Sequence, residues 1–398
     1  MRSLLRGLLA LLVLLPAVSM AAPRIGVVTM EPGPSYWERF GHNAILVDAG
    51  DGSEPILYNY GFFDFDEPGF LVNFLRGHMR YRLVGMPMSR DLAYYREVGR
   101  GVTLQWLDMP VEAARELDAF LRWNAQPENA YYAYDYFTDN CSTRVRDALD
   151  RALDGALNRQ LTGRSQGVTY RMEALRLGGG LPWMGLGMHL GLADYADRPL
   201  SRWDEAFVPM RLRASLREVR TAQGTPLVVS EETLLEHRLP LPPVDPPRWW
   251  PRFLLVGLVL AVGAAWLGRR RPRALAGAAL GFWLLNGLAG LGLLALWTLT
   301  THKAAFGNEN LLLASPLALA LLPGAWAMLR GRRPGAAFGP LLMLVFVSAA
   351  LAVFIGFLPF RPQDNLDWIL LLLPVHFALW RVMAPPPVPE PAPAGNPG

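Results

Sequence analysis

The chain has 398 residues, 52% of them hydrophobic, and a formal net charge of only +4. So small a charge, with its arginines gathered beside apolar runs, excludes a nucleic-acid-binding surface. One cysteine permits no internal disulfide, and the six histidines form neither an HExxH pattern nor a Cys/His cluster. No metal or other cofactor is therefore expected, and there is no GxSxG elbow or P-loop.

The chain opens with two arginines in Met1–Arg6, an apolar run from Leu8 to Val18, and small residues ending at Ala21 before Ala22-Pro23. This pattern predicts a signal peptide over residues 1–21, or an uncleaved signal anchor; no cysteine follows it, so there is no lipobox. Residues 22–238 then read as an exported α+β domain with an antiparallel sheet and a helical extension. Strands are expected over Arg24–Met30, over Phe40–Asp48 with His42 at the entrance, and over Ile56–Gly61. The second and third of these form a hairpin that returns Asn59 and Tyr60 to the neighbourhood of His42. Further strands are expected over Met79–Val84 and Gly101–Leu107. Ser89-Arg90-Asp91 caps a helix to Val98, and Pro110 opens one to Trp123.

Tyr134 to Asp139 is an aromatic stretch leading into a helix whose apolar stripe is Val145, Ala148, Leu149, Ala152, Leu153 and Ala156. Asn140, Ser142 and Thr143 are good capping types, which puts Cys141 in the first turn. There the helix N–H groups favour an anion and are expected to lower the thiol pKa. Leu161–Leu212 is less regular, either packing on the exported domain or facing a bilayer. A stiff Pro-rich linker follows over residues 239–250, ending in Trp249 and Trp250 as an interfacial belt.

Five apolar stretches, at about 252–268, 274–299, 311–329, 337–360 and 367–383, predict membrane helices within residues 251–383. Arg269-Arg270-Arg271-Pro272-Arg273 follows the first and Arg330-Gly331-Arg332-Arg333 the third. The positive-inside rule places these loops in the cytoplasm and the preceding domain outside, with residues 384–398 as a disordered cytoplasmic tail.

A thiol nucleophile needs a base, and the base needs a group that orients its ring. Cys141 and His42 are the candidates for the first two roles. Asn59 is the candidate for the third, with Asp48 and Asp64 as rivals. Arg144 is placed to bind a phosphate headgroup, whereas Arg146 reads as part of a solvated face. His78 reads as a cap on a helix end; His376 falls within a span, as a functional group or a packing one; His189 and His237 have no motif around them.

Phe40-Gly41-His42-Asn43-Ala44, Tyr58-Asn59-Tyr60-Gly61-Phe62-Phe63-Asp64-Phe65, Asn73-Phe74, Gly77-His78-Met79-Arg80-Tyr81 and Asp139-Asn140-Cys141-Ser142-Thr143-Arg144 together resemble the Lnb-type N-terminal periplasmic domain. The likeness covers about residues 24–215 and, by architecture, the spans. The order, His on a strand and then Cys at a helix start, also resembles the permuted NlpC/P60 papain-like fold of lecithin:retinol acyltransferase and its relatives. The resemblance implies a thiol acyltransferase of the bacterial inner membrane. It would take an acyl chain from a phospholipid and pass it to the amino terminus of a lipoprotein. Cys141 and His42 carry over directly, and Asn59 as the polar group on the next strand. The alternatives are a papain-like amidase or peptidase acting on cell-wall peptide, and a non-enzymatic membrane assembly protein.

Overall fold

The computed structural model describes residues 22–358 and 363–384. The expected signal peptide, 1–21, and residues 385–398 of the expected tail lie outside them. The described residues divide into two compact units that do not follow chain order.

The first unit holds residues up to Glu67, Met79–Gln166 and Leu200–Leu241. Its sheet is seven-stranded and antiparallel: β1 (Arg24–Met30), β2 (His42–Asp48), β3 (Ile56–Phe62), β4 (Arg80–Pro87), β5 (Val102–Leu107), β6 (Tyr131–Ala133) and β7 (Val228–Leu235). The spatial order is β6-β4-β3-β2-β1-β5-β7. Among the helices, α1 (Phe70–Arg76), α2 (Met88–Val98), α3 (Val111–Asn124), α4 (Cys141–Ala152), α5 (Tyr170–Gly178) and α6 (Pro182–Gly191) precede the spans.

The central strands are apolar on both faces because both faces are covered. Ile25, Val27, Ile45 and Val47 pack under α3 and α4 through Leu117, Leu121, Val145 and Leu149. The alternate residues Val28, Met30, Ala44 and Leu46 point to the other face, where Tyr95 and Leu92 of α2 meet them. Strands β6 and β7 were not expected. Strand β7 is an edge strand whose middle, Ser230-Glu231-Glu232, is exposed, so no apolar alternation marks it. Glu231 is instead held by Arg217 and by Gln105 at 2.9 Å.

Helix α4 is started by Asn140. Its side-chain oxygen accepts from the N–H groups of Ser142 and Thr143, each at 2.9 Å, while Thr143 returns a bond to the Asn140 N–H. The Asn140 amide also donates to the carbonyls of Tyr136 and Phe207, both at 2.9 Å, from a site that is 5% exposed. Asn140→Ala would strand both these carbonyls and two helix N–H groups. A loss of about 2–4 kcal/mol is expected, seen as a lower thermal midpoint of the detergent-solubilised protein.

The second unit holds Pro68–His78, Gly167–Pro199 and the chain from Pro242 onward. It carries five helices long and apolar enough to span a membrane: Trp250–Arg270, Pro272–Thr298, Asn310–Leu329, Phe338–Ile355 and Leu366–Met383. The third is broken after Leu313 and resumes through a 3₁₀ turn, Pro316–Leu321. The break frees carbonyls that hydrocarbon cannot satisfy. Asn286 Nδ2 and His376 Nε2 donate to the Leu313 carbonyl at 3.1 and 2.9 Å, and Ser348 to that of Leu312 at 3.1 Å. The intramembrane histidine thus serves the backbone. The irregular stretch Leu161–Leu212 is divided between the units, residues 167–199 belonging with the spans. Arg171 of this segment, 1% exposed, pairs with Asp197 at 2.7 Å, and His189 pairs with Asp367 at 2.8 Å.

Candidate active site

Cys141 is the first residue of α4 and His42 the first of β2. The β2–β3 ladder ends at Ala44–Asn59. The next N–H along β2, that of Asn43, points to the Cys141 sulfur. The following residues lock the two elements together. Ser142, fully buried, shares its hydroxyl proton between Asn43 Oδ1 at 2.8 Å and the Ala206 carbonyl at 2.6 Å. Asn43 in turn donates to Thr29 Oγ1 at 2.8 Å.

Two glycines make room for this junction. Gly41 has φ +78°, and a Cβ there would stand 2.9 Å from the Met30 carbonyl. Gly61 has φ +92° in the irregularity between Asn59 and Phe62, and its Cβ would press within 3.4 Å of the Cys141 Cβ.

The third candidate, Asn59, meets His42 directly, with Oδ1 3.0 Å from His42 Nε2. Its amide nitrogen donates to Asp91 Oδ2 at 2.8 Å. An ionised carboxylate only accepts, so Asp91 draws the NH₂ toward itself and turns the amide oxygen to the ring. An oxygen at Nε2 assigns the imidazole proton there and leaves the Nδ1 lone pair able to accept a proton. Asp91 was missed as a site residue because Ser89-Arg90-Asp91 reads as a helix start, and α2 does begin beside it, at Met88. The rivals are engaged elsewhere: Asp48, the last residue of β2, accepts from the Gly50 N–H at 3.0 Å, and Asp64 accepts from the Asp66 N–H at 2.9 Å.

Electrostatics run against the expected thiolate. Burial pushes the Cys141 thiol up to about 11, outweighing the N–H groups of Asn43, Ser142 and Cys141 itself and the charge of Arg100. Burial and then Arg100 lower His42 to about 4, with the Asn59 bond opposing. Helix-start polarity therefore loses to desolvation at Cys141. Both shifts favour the neutral pair, so at pH 7 the thiol keeps its proton and the imidazole lacks one. Alkylation of Cys141 by iodoacetamide is expected to climb steadily as pH rises from 5 to 10. A plateau between pH 5 and 8 would reveal a thiolate–imidazolium pair instead.

Arg144 lies beside the site with its charge already answered: Nη2 is 2.7 Å from Asp139 Oδ2, Nε also bonds this carboxylate, and Cζ is 4.2 Å over the Tyr132 ring. Arg146 does not lie on a solvated face. It is 6% exposed, Cζ is 3.9 Å over the Trp203 ring, and Nη1 donates to the Trp203 carbonyl at 2.7 Å. Its amphipathic stem and planar head explain why burial wins.

Aromatic side chains, to none of which the sequence reading gives a role, line the approach. The Tyr132 hydroxyl is buried without a hydrogen-bond partner among the described residues, and burial raises both Tyr132 and Tyr134 well above the usual phenol range. Rings follow one another outward: Tyr132–Tyr134 (6.5 Å), Tyr134–Tyr81 (4.3 Å), Tyr81–Phe63 (5.0 Å), Phe63–Phe65 (4.9 Å) and Phe65–Trp37 (5.5 Å). Phe65 and Trp37, at the far end, are 52% and 48% exposed, so the row reaches from the thiol to the surface. The aromatic density of residues 60–65 and 131–137 was the sequence signal for it. Among the described residues no group of three or more His, Cys, Asp or Glu side chains is placed to hold a metal ion.

Fold and site define a multi-pass membrane protein whose α+β domain gathers a cysteine, a histidine and an asparagine at one strand–helix junction. Residues 17–173 match the Lnb N-terminal periplasmic domain family, and residues 249–383 match the Lnb transmembrane domain family. The chain thus carries an Lnb-type periplasmic N-terminal domain followed by an Lnb-type membrane domain. No curated protein and no solved structure matched it.

Proposed function

We propose that this protein is a thiol acyltransferase of the bacterial inner membrane. It carries a fatty-acyl chain from a phospholipid, through a Cys141 thioester, to an amine at the N-terminus of a lipoprotein. The observation that carries the reading is the His42–Asn59–Asp91 chain of bonds, with the Asn43 N–H joining the same strand to Cys141. The aromatic row from the thiol to the surface favours an acyl chain over a polar cell-wall peptide. A permuted papain-like ancestry is consistent with His on a strand preceding Cys at a helix start.

In the first half-reaction His42 Nδ1 takes the thiol proton as Sγ attacks the ester carbonyl. The tetrahedral oxyanion is met by the Cys141 N–H and the Tyr132 hydroxyl, which has no other partner to give up. The intermediate collapses, the C–O bond breaks, and the His42 proton leaves with the lysophospholipid. In the second, the amine attacks the thioester, His42 accepts its proton and returns it to the departing thiol. A headgroup phosphate would share Arg144 with Asp139. The arginine-rich loops after the first and third spans face the cytoplasm, and the C-terminus with them.

Intact-mass spectrometry after incubation with phospholipid tests this. A hydroxylamine-labile fatty-acyl adduct on the wild type and none on Cys141→Ser is the expected result. Cleavage of cell-wall peptide without any lipid adduct would make the protein an amidase. If neither occurs and Cys141→Ser retains full function in cells, the reading as an enzyme fails.

A further inference from the structure

Two short helices outside the five spans belong to the membrane unit and turn apolar side chains outward. In α1 no side chain is buried, and Leu71, Val72 and Leu75 are 66%, 51% and 58% exposed. Helix α6 lies in Leu181–Ala193, which contains no Asp, Glu, Lys or Arg, and it exposes Trp183 and Leu186 while burying Gly185 and His189. Apolar surface of this kind facing water is a liability in a soluble region.

Both helices are fastened to one end of the bundle. The Thr301 N–H and His302 Nε2 reach the Arg76 and Phe74 carbonyls of α1, at 2.9 and 3.1 Å, just beyond the end of the second span. At α6, Asn308 and Asn310 each donate to the Leu190 carbonyl at 2.9 Å, beside the start of the third span. His189 meets Asp367 at the head of the fifth span, and its ring lies tilted against that of Trp249, 5.5 Å away, at the head of the first. The arginine clusters 269–273 and 330–333 occupy the opposite end, so this is the periplasmic one. Trp249, Trp250, Trp297 and Trp368 mark the same end as the depth of the headgroups.

We propose that α1 and α6 lie in the interface of the outer leaflet, with their apolar faces against lipid, as an in-plane rim continuous with the lipid-facing surface of the spans. The occupant is lipid because the exposed faces are apolar, almost free of charge, and anchored at headgroup depth. The acyl-transfer reading is not required.

The lone cysteine provides a clean test. In full-length Cys141→Ser protein reconstituted in liposomes, single cysteines replace Leu71, Leu75 or Leu186 and carry a nitroxide. Leu285, 71% exposed within the second span, is the lipid reference, and the exposed Thr162 of the sheet unit is the aqueous one. Collision with oxygen is compared with collision with a water-soluble nickel chelate. The expected result is an oxygen-to-nickel ratio several-fold above that of Thr162 and approaching that of Leu285. Ratios equal to Thr162 would overturn the proposal. So would low collision with both reagents, which would mean that a second copy or another protein covers the helices.

Discussion

His42→Ala is expected to slow thioester formation at Cys141 by about 10³-fold at pH 7, and Cys141→Ser to eliminate it. The size follows from the thiol. An acid held at about 11 is only about 10⁻⁴ ionised at neutral pH, so attack without a base must wait for rare thiolate. With His42 taking the proton during attack, the wild-type rate should be nearly level across pH 6–8, because a base lowered to about 4 is already unprotonated there. In His42→Ala the rate should instead rise about tenfold per pH unit as thiolate accumulates. Acyl-enzyme formation, followed by mass against time at several pH values, reads both features. A His42→Ala protein with wild-type rate and a level profile would remove His42 from the chemistry.

Tyr132→Phe is expected to lower acylation by about 10²-fold, near 3 kcal/mol, while leaving iodoacetamide alkylation of Cys141 within about twofold of wild type. Alkylation is a displacement at carbon and builds no oxyanion, whereas attack on an ester does. The pair of rates therefore separates a donor to the oxyanion from a residue that merely shapes the site. The variant should fold, because it deletes a buried hydroxyl without a partner among the described residues and keeps the ring beneath Arg144. Equal loss of both rates would assign Tyr132 a packing role, and no loss of either would leave the oxyanion to the backbone.

Much of this site is written locally. Asn140 before Cys141, followed by a 3.6-residue apolar stripe, dictates a helix that opens on the thiol whatever surrounds it, and the strand, polar connection and strand from His42 to Phe62 close on themselves as β2 and β3. Those are short-range regularities, and so are the five apolar stretches and the arginine clusters between them. Asp91 illustrates what was not legible. It lies far from Asn59 in the chain, and only the packing of α2 on the sheet brings its carboxylate to the amide. Arg146 was misjudged for the same reason, since its cover, Trp203, comes from a distant loop.

The sequence by itself determined the helix start at Cys141, the strand entrance at His42, the hairpin that returns Asn59, and the orientation of the spans, because each depends on neighbours within a few turns of chain. Only the tertiary structure decided which nitrogen of His42 meets Asn59, how far burial raises the thiol pKa, and which segments before the linker cluster with the spans. Those depend on burial and on partners from remote elements, and desolvation at Cys141 reverses what the local helix polarity favours.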